Sequence, residues 1–321
     1  MITSGISLCW VDISFGEDIY NKIEREVIVA LRRNEEPFKY SHGYPQKWFY
    51  VVKFWFKLKA FWRWIRVQKP MTKLMGYQYQ VADDLIEIDI TYQCNLKCNN
   101  CNRSSAQAPS KTHIGLDEIT HFVDDSLSQN KHWRKIRLLG GEPTLHPELS
   151  EILSELYRQK LAHPALIIQL VTNGHGRRVN KVISMLPEWL CIENSAKTDS
   201  VQPDFGPFNL APVDSWYHKF SDFSNGCDIA KTCGLGLTPQ GYYPCAVAGG
   251  IDRVLNLKGG RQRLPSSDDE MRDLMRRNCG LCGRFRDGHY VPPKLRPRIF
   301  EQHTSATWNK IYQEWESNQK R

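Results

Sequence analysis

Apolar residues recur with two different periods along residues 85–193 of this chain. Short runs rich in Ile, Leu and Val have the pattern of strands, and the segments between them repeat apolar residues every three or four positions, as helices do. The predicted strands are residues 85–90, 135–139, 166–171 and 189–193, and the predicted helices are residues 117–129, 147–159 and 178–186. Because strands that alternate with helices pair in parallel, we expect an α/β fold built on a parallel sheet.

A different pattern lies in the aromatic and basic run of residues 48–67. On a helix, its apolar residues fall on one face and its lysines and arginines on the other. The apolar face is Tyr50, Val51, Phe54, Leu58, Phe61, Trp62 and Ile65. Such helices bind membrane interfaces or grooves of partners, so we expect contact with a membrane surface as one option. The alternative is a helix that packs on the main domain with its basic side solvated. Charges spread through its length exclude a transmembrane span.

The cysteines indicate the cellular compartment. Ten of them occur, and most cluster in close pairs or triplets. Met1 is followed by mixed sequence that includes acidic residues, unlike a signal peptide. In a reducing compartment, clustered cysteines favour metal binding over disulfides. We therefore expect a cytoplasmic protein, with membrane association through residues 48–67 as the open alternative.

Cys94, Cys98 and Cys101 follow the first predicted strand, separated by three and then two residues. Three thiolates on one short loop hold three irons of a cubic cluster and leave the fourth iron open to a substrate or cofactor. In parallel sheets, the loops at the carboxyl ends of the strands hold the chemistry. The triplet is therefore a candidate reactive site.

The following strands end in further motifs: Gly140-Gly141-Glu142-Pro143, then Thr172-Asn173-Gly174, then Asn194-Ser195. This ordered set, over residues 85–197, resembles the radical S-adenosylmethionine (radical SAM) superfamily. The resemblance implies a partial (β/α)6 radical SAM barrel, a [4Fe-4S] cluster on the three cysteines, and SAM chelating the open iron. It also implies a low-potential electron donor and reductive cleavage of SAM to a 5′-deoxyadenosyl radical that abstracts a substrate hydrogen.

The same resemblance implies roles for single residues. Gly140 and Gly141 let the backbone approach the methionyl group of SAM, and Glu142 accepts hydrogen bonds from its ammonium group. Asn194 or Ser195 contacts the ribose, although each is equally typical of a turn.

Two more features concern the same pocket. Asn173 shapes the pocket floor, although Asn-Gly is also an ordinary turn. Asn100 stands where the superfamily usually has an aromatic residue beside adenine. No glycine-rich fifth strand is evident in the sequence.

A second set of cysteines lies downstream: Cys227, Cys233, Cys245, Cys279 and Cys282. A turn predicts a hairpin that brings Cys233 and Cys245 together, and Cys279 and Cys282 form a second close pair. The four thiolates of these two elements can close either a zinc site or a cubic cluster. The segment resembles the Twitch and SPASM modules that follow radical SAM barrels, which implies an auxiliary [4Fe-4S] cluster held by Cys233, Cys245, Cys279 and Cys282. Cys227 is then a catalytic candidate that donates a hydrogen atom; the alternatives are that it replaces a ligand or is only buried.

The chain is thus divided into a basic aromatic, helical N-terminal extension (1–80), the partial barrel (81–225), a small Cys-rich auxiliary-cluster module (226–290) and a C-terminal tail (291–321). We expect oxidation or epimerisation of a carbohydrate-like or peptidyl carbon, with a small-molecule or peptidyl substrate as partner.

One rival hypothesis is a non-catalytic zinc or Fe–S binding module. The other is an RNA-modifying enzyme, suggested by the net charge of +8. Residues 41–79 contain no acidic residue and eight basic ones, which account for the whole net charge. The basic residues are Lys47, Lys53, Lys57, Lys59, Arg63, Arg66, Lys69 and Lys73. The RNA hypothesis requires these residues to form a path to the cysteine loop. Because the rest of the chain is formally neutral, we expect no nucleic-acid partner.

Overall fold

The structure, a computed structural model, describes residues 46–197, 208–287 and 304–319. Internal contacts divide the chain into two units, Met1–Lys59 and Ala60–Arg321. The strands are β1 (Leu85–Thr91), β2 (Lys135–Gly140), β3 (Ile167–Thr172), β4 (Cys191–Asn194), β5 (Leu235–Thr238) and β6 (Gly241–Tyr243). The helices are α1 (Gln46–Arg66), α2 (Lys69–Met75), α3 (Leu116–Ser128), α4 (Leu149–Ala162), α5 (Arg177–Ile183), α6 (Asp228–Thr232), α7 (Ala246–Leu255), α8 (Arg272–Asn278), α9 (Arg284–Asp287) and α10 (Ala306–Gln319).

All six strands form one sheet in the order β4-β3-β2-β1-β5-β6. The first four strands pair in parallel with their neighbours in the chain, and β5 lies parallel to β1 on its other side. Only β6 is antiparallel, as the second strand of a hairpin with β5. The predicted α/β class with a mainly parallel sheet is confirmed.

The fifth and sixth strands differ from expectation. A (β/α)6 barrel predicts two further strand–helix repeats beyond β4, whereas these strands are the hairpin between Cys233 and Cys245. The hairpin was predicted from its turn, but as part of a separate module. It joins the main sheet because Ile86 and Ile88 of β1 pair with Leu235 and Leu237 of β5.

The two faces of β1 carry different chemistry. Ile86, Ile88 and Ile90 are buried in the main hydrophobic cluster, together with apolar residues of α3, α4, β2 and β3. Burying such side chains stabilises the fold by roughly 1.5–3 kcal/mol each. Glu87 and Asp89 alternate with them and are also buried. The face of the sheet that carries Glu87 and Asp89, called the inner face below, is therefore polar and requires paired charges.

Arg103 supplies most of that pairing. Its side chain is buried and donates hydrogen bonds to Glu87 at 3.1 Å and to both oxygens of Asp89 at 3.2 and 3.1 Å. Arg137 of β2 pairs with the other oxygen of Glu87 and extends to Glu193 of β4. The attraction of these cations lowers the pKa of Glu87 although burial opposes it, whereas burial raises the pKa of Asp89. Since Arg103 follows Cys101 by two positions, this network anchors the cysteine loop to β1.

The C-terminal part of α1 is oriented differently from the prediction. Phe61 and Trp62 are 56% and 53% exposed, whereas Arg63 and Arg66 are buried and donate to the carbonyl oxygens of Gly226 and Gly76. The alternative with a fully solvated basic side is therefore wrong for these two arginines. Tyr50 and Val51 lie among residues whose side chains are not described, and contact with a membrane surface stays a prediction. No helix in the described residues is long and apolar enough to span a bilayer.

We expect Arg103→Met to lower the free energy of unfolding by about 3–5 kcal/mol, because the buried Asp89 loses its cation and Glu87 keeps only Arg137. The loss is smaller near about pH 5 than near about pH 8, since an unpaired buried carboxylate binds a proton more tightly in the folded state than in the unfolded state. Urea unfolding of the apo-protein at both pH values measures this.

The matched control is Arg134→Met, which breaks the exposed pair with Asp84. Exposed ion pairs contribute about 0–1 kcal/mol, so this variant remains close to wild type. Equal losses in the two variants would show that the inner network does not carry the stability.

Candidate functional site

The three cysteines of the triplet lie on the irregular loop after β1, at the carboxyl edge of the sheet. Cys98 is buried, and Cys94 and Cys101 are half-buried. Burial raises the pKa of the Cys94 thiol to about 11, and the neighbouring charge of Cys101 acts in the same direction. The side chain of Gln107 donates to the carbonyl oxygens of Cys98 and Asn99 at 3.1 and 2.7 Å, so it fixes the turn between the cysteines. The sequence analysis missed Gln107 because nothing in its neighbourhood marks it.

Gly140 and Gly141 bring the end of β2 against the start of this loop. A Cβ at Gly140 would lie 2.1 Å from the carbonyl oxygen of Thr91, and one at Gly141 would lie 2.2 Å from that of Gln93. Gly140 also has a φ of +129°, a conformation that favours glycine. The close approach visible here is to the backbone before Cys94; the approach to the methionyl group stays a prediction.

Glu142 is fully buried, with 0% exposure. One carboxylate oxygen accepts hydrogen bonds from the hydroxyls of Thr144 and Thr172 at 2.8 and 2.7 Å, and the other accepts from the backbone N–H of Asn173 at 2.8 Å. Its own N–H donates to the carbonyl oxygen of Gln93 at 2.8 Å. Glu142 thus joins the ends of β1, β2 and β3, a role that the sequence analysis did not foresee. Its contact with the ammonium group of SAM stays a prediction.

Asn173 connects this junction to the triplet. Its side-chain amide donates to the side-chain oxygen of Asn95 at 2.8 Å and to the sulfur of Cys94 at 3.9 Å. Leu96 donates its backbone N–H to the same sulfur at 3.4 Å. Hydrogen bonds to sulfur favour the thiolate form that a metal requires.

Asn194 and Ser195 lie at the end of β4 and are both exposed. Asn194 accepts the N–H of Ala196 at 2.9 Å, and Ser195 donates its hydroxyl to the carbonyl oxygen of Thr172 at 2.8 Å. These are turn contacts, the alternative that the sequence left open. The ribose contact stays a prediction.

The second cysteine group differs from the predicted one. Cys227, Cys245, Cys279 and Cys282 line one cavity. Burial raises the pKa of all four thiols, to about 12 for Cys282, and neighbouring thiols add to the effect on Cys245, Cys279 and Cys282.

Nearby backbone N–H groups oppose the effect of burial on the pKa of three of these thiols: Ile229 for Cys227, Ala248 for Cys245, and both Arg284 and Phe285 for Cys282. Together with its four thiols, the cavity offers the donor set of an iron–sulfur cluster or a zinc ion.

Cys233 lies outside this group. Its thiol lies beside the carboxylate of Glu87 and near Arg137 and Arg103, and burial together with the charge of Glu87 raises its pKa. The hairpin brings the two chain positions together as expected, but Cys233 faces the inner side of β1 while Cys245 faces the cavity. Cys227, predicted as a catalytic residue, lies in the place expected for Cys233.

Asn278 provides a test of whether this cavity suits a bound group. It lines the cavity, is 0% exposed, and neither polar atom of its side chain has a hydrogen-bond partner in the described residues. A buried amide without partners costs about 1–3 kcal/mol, so its place beside four thiols fits a bound group that accepts hydrogen bonds. As they stand, no three His, Cys, Asp or Glu of the described residues are spaced to hold a single metal ion.

These features define a class: a mainly parallel α/β protein with a three-cysteine loop after its first strand. The family model described as the Radical SAM superfamily matches residues 88–191. This part of the chain belongs to that superfamily, as the motifs predicted. Membership implies a [4Fe-4S] cluster and SAM, and the triplet with its thiol-directed N–H groups fits the cluster.

Curated proteins similar to the chain include the probable GTP 3′,8-cyclase of Methanococcus maripaludis, 36% identical over 87 residues, which are 27% of each chain. The GTP 3′,8-cyclase of Haemophilus influenzae is 28% identical over 151 residues, 46% of this chain and 41% of that protein. The matches therefore span less than half of these relatives' own length.

Two solved structures are also similar. The crystal structure of BtrN in complex with AdoMet and 2-DOIA has 11% identity and a TM-score of 0.34 over 63% of this chain and 85% of that chain. Streptococcus suis SuiB bound to the precursor peptide SuiA has 10% identity and a TM-score of 0.37 over 73% of this chain and 76% of that chain. No residue role is inferred from either.

We expect Glu142→Gln to lower the free energy of unfolding by about 1–3 kcal/mol, because the amide loses the charge-assisted bonds and leaves a buried N–H without an acceptor. Urea unfolding of the apo-protein measures the loss. Glu148→Gln is the control, since Glu148 is exposed on the same loop, and it changes stability by less than about 0.5 kcal/mol. A Glu142 variant as stable as the control would contradict the strand-end junction.

Proposed function

We propose that this chain is a radical SAM enzyme that oxidises a carbohydrate-like or peptidyl carbon. The observation that carries the proposal is the three-cysteine loop at the carboxyl edge of the sheet, within the part that matches the superfamily. A second group of four cysteines, which line one cavity in the same unit, supports a second cluster.

When bound, the two clusters and SAM would supply the redox chemistry: one electron cleaves SAM, a substrate hydrogen is abstracted, and a second electron leaves the substrate. The chain's own residues hold and orient these groups. Gln107 and Asn173 fix the loop of Cys94, Cys98 and Cys101. Glu142 keeps the ends of three strands together beneath it. The paired charges of the inner sheet face anchor the loop from the other side.

Cys227, Cys245, Cys279 and Cys282 are the ligands that we propose for the auxiliary [4Fe-4S] cluster. This revises the predicted set by exchanging Cys233 for Cys227. The support is that these four line one cavity, whereas the Cys233 thiol lies outside that lining, beside the carboxylate of Glu87.

The assignment of Cys227 as a cluster ligand also favours oxidation over epimerisation. Epimerisation requires a hydrogen-atom donor, for which the sequence suggested Cys227. Because Cys227 lies among the other thiols of the cavity, its hydrogen is not available once it binds iron. A second cluster suits oxidation, since it takes up the electron that the substrate radical loses.

The structure gives the RNA-modifying hypothesis less support than the sequence alone. Two of the basic residues on which it depends, Arg63 and Arg66, are buried and bound to backbone carbonyls. They are therefore not available for phosphate contacts.

Anaerobic reconstitution tests the proposal. We expect about eight irons per chain and formation of 5′-deoxyadenosine from SAM with dithionite. Cys98→Ala abolishes SAM cleavage and leaves about four irons, because the triplet is incomplete. Tightly bound zinc, or iron without SAM cleavage in the wild type, would favour the non-catalytic binding module.

The revised ligand set has its own comparison. Cys227→Ala retains about four irons, whereas Cys233→Ala retains about eight. Cys191→Ala is the control, since Cys191 lies on β4 outside both groups. Loss of iron in the Cys233 variant and not in the Cys227 variant would restore the set predicted from the sequence.

A further inference from the structure

We propose that Asn278 is a positioning residue for the second cluster: its side-chain N–H donates a hydrogen bond to the cluster's sulfur atoms and raises its reduction potential. This inference rests on the proposed function and deepens it. It concerns one residue that no cysteine motif marks.

The first observation is the state of the side chain. Asn278 is the last residue of α8 and is 0% exposed, yet its Nδ2 and Oδ1 atoms find no partner in the described residues. A buried amide normally bonds to backbone or water, and leaving its donor unpaired destabilises the fold. A core position without a polar function is filled better by leucine, which has the same shape and no such cost.

The second observation is what surrounds the amide. Apart from the thiols, the cavity lining has two polar side chains, Asn278 and Arg284. The rest of the lining is apolar: Phe208, Ile229, Val247, Ala248, Ile251 and Phe285. In so apolar a lining, the group that the thiols hold is the acceptor that the inference assigns to the amide donor.

The third observation is that the position is fixed. Cys279 follows directly and donates its N–H to the carbonyl oxygen of Met275 at 2.8 Å, while Leu281 donates to that of Asn278 at 3.0 Å. The amide and the thiols of Cys279 and Cys282 therefore leave one tight turn. A donor on that turn keeps a constant distance to any cluster that the two cysteines hold.

The direction of the effect follows from charge. Four thiolates give a cluster a net negative charge that grows when it is reduced, and hydrogen bonds to its sulfurs stabilise the more negative state. Removing the Asn278 donor therefore shifts the reduction potential to more negative values. Replacing it with a carboxylate shifts the potential further in the same direction.

The experiment isolates the second cluster in the full-length chain. Cys94, Cys98 and Cys101 are changed to Ala together, and the reconstituted protein is titrated anaerobically with its EPR signal as the readout. Asn278→Leu and Asn278→Asp are compared in this background. Gln159→Leu is the matched control, because Gln159 is also a fully buried amide but lies on α4 in the main core.

We expect the potential to become more negative in the order parent, Asn278→Leu, Asn278→Asp, with the Gln159→Leu protein equal to the parent. A parent protein that binds no iron–sulfur cluster contradicts the auxiliary cluster of the proposed function. A parent with the cluster, and Asn278 variants whose potential equals the parent's, overturns the role of Asn278. If the Leu variant does not fold, the Asp variant decides, since its side chain has the same size and shape.

Discussion

The buried carboxylate of Glu142 is the contact on which the candidate site depends. It accepts hydrogen bonds from the ends of β2 and β3, and its own backbone N–H reaches the segment after β1. Buried hydroxyl and backbone N–H groups at strand ends need acceptors, and this one carboxylate accepts from Thr144, Thr172 and Asn173. The cysteine loop starts from this junction, so Glu142 holds in place the chain segment that leads into Cys94.

A second constraint acts from the inner face of the sheet. Arg103 joins the far end of the cysteine loop to Glu87 and Asp89 of β1. Arg253 of α7 holds the same region, since it donates to the carbonyl oxygens of Arg103 and Ala108 and lies over the ring of Tyr92. Because α7 begins directly after Cys245, one short helix connects the two cysteine groups. The relative position of the two groups is therefore set by a rigid element.

Much of the fold could be predicted from residue patterns because each prediction depended on neighbours in the chain. The period of apolar residues located β1 to β4 and α3 to α5 within a few residues, and the turn before Gly241 located the hairpin. The second cysteine group could not be assigned in the same way. Spacing showed that five cysteines were near one another in the chain, but which thiol faces which side depends on the pairing of β5 with β1, a contact between residues about 150 positions apart.

The sequence alone determined the superfamily that residues 88–191 match and the position of the candidate cluster loop, because three cysteines within eight residues must share one loop whatever surrounds them. It also determined the mainly parallel sheet, since alternating strands and helices leave few other arrangements. The tertiary structure decided what depends on distant residues: the junction role of Glu142, the inward turn of Arg63 and Arg66, and which thiols line one cavity, with Cys227 among them and Cys233 outside. Side chains that meet across the fold are selected by packing and burial, which no local pattern encodes.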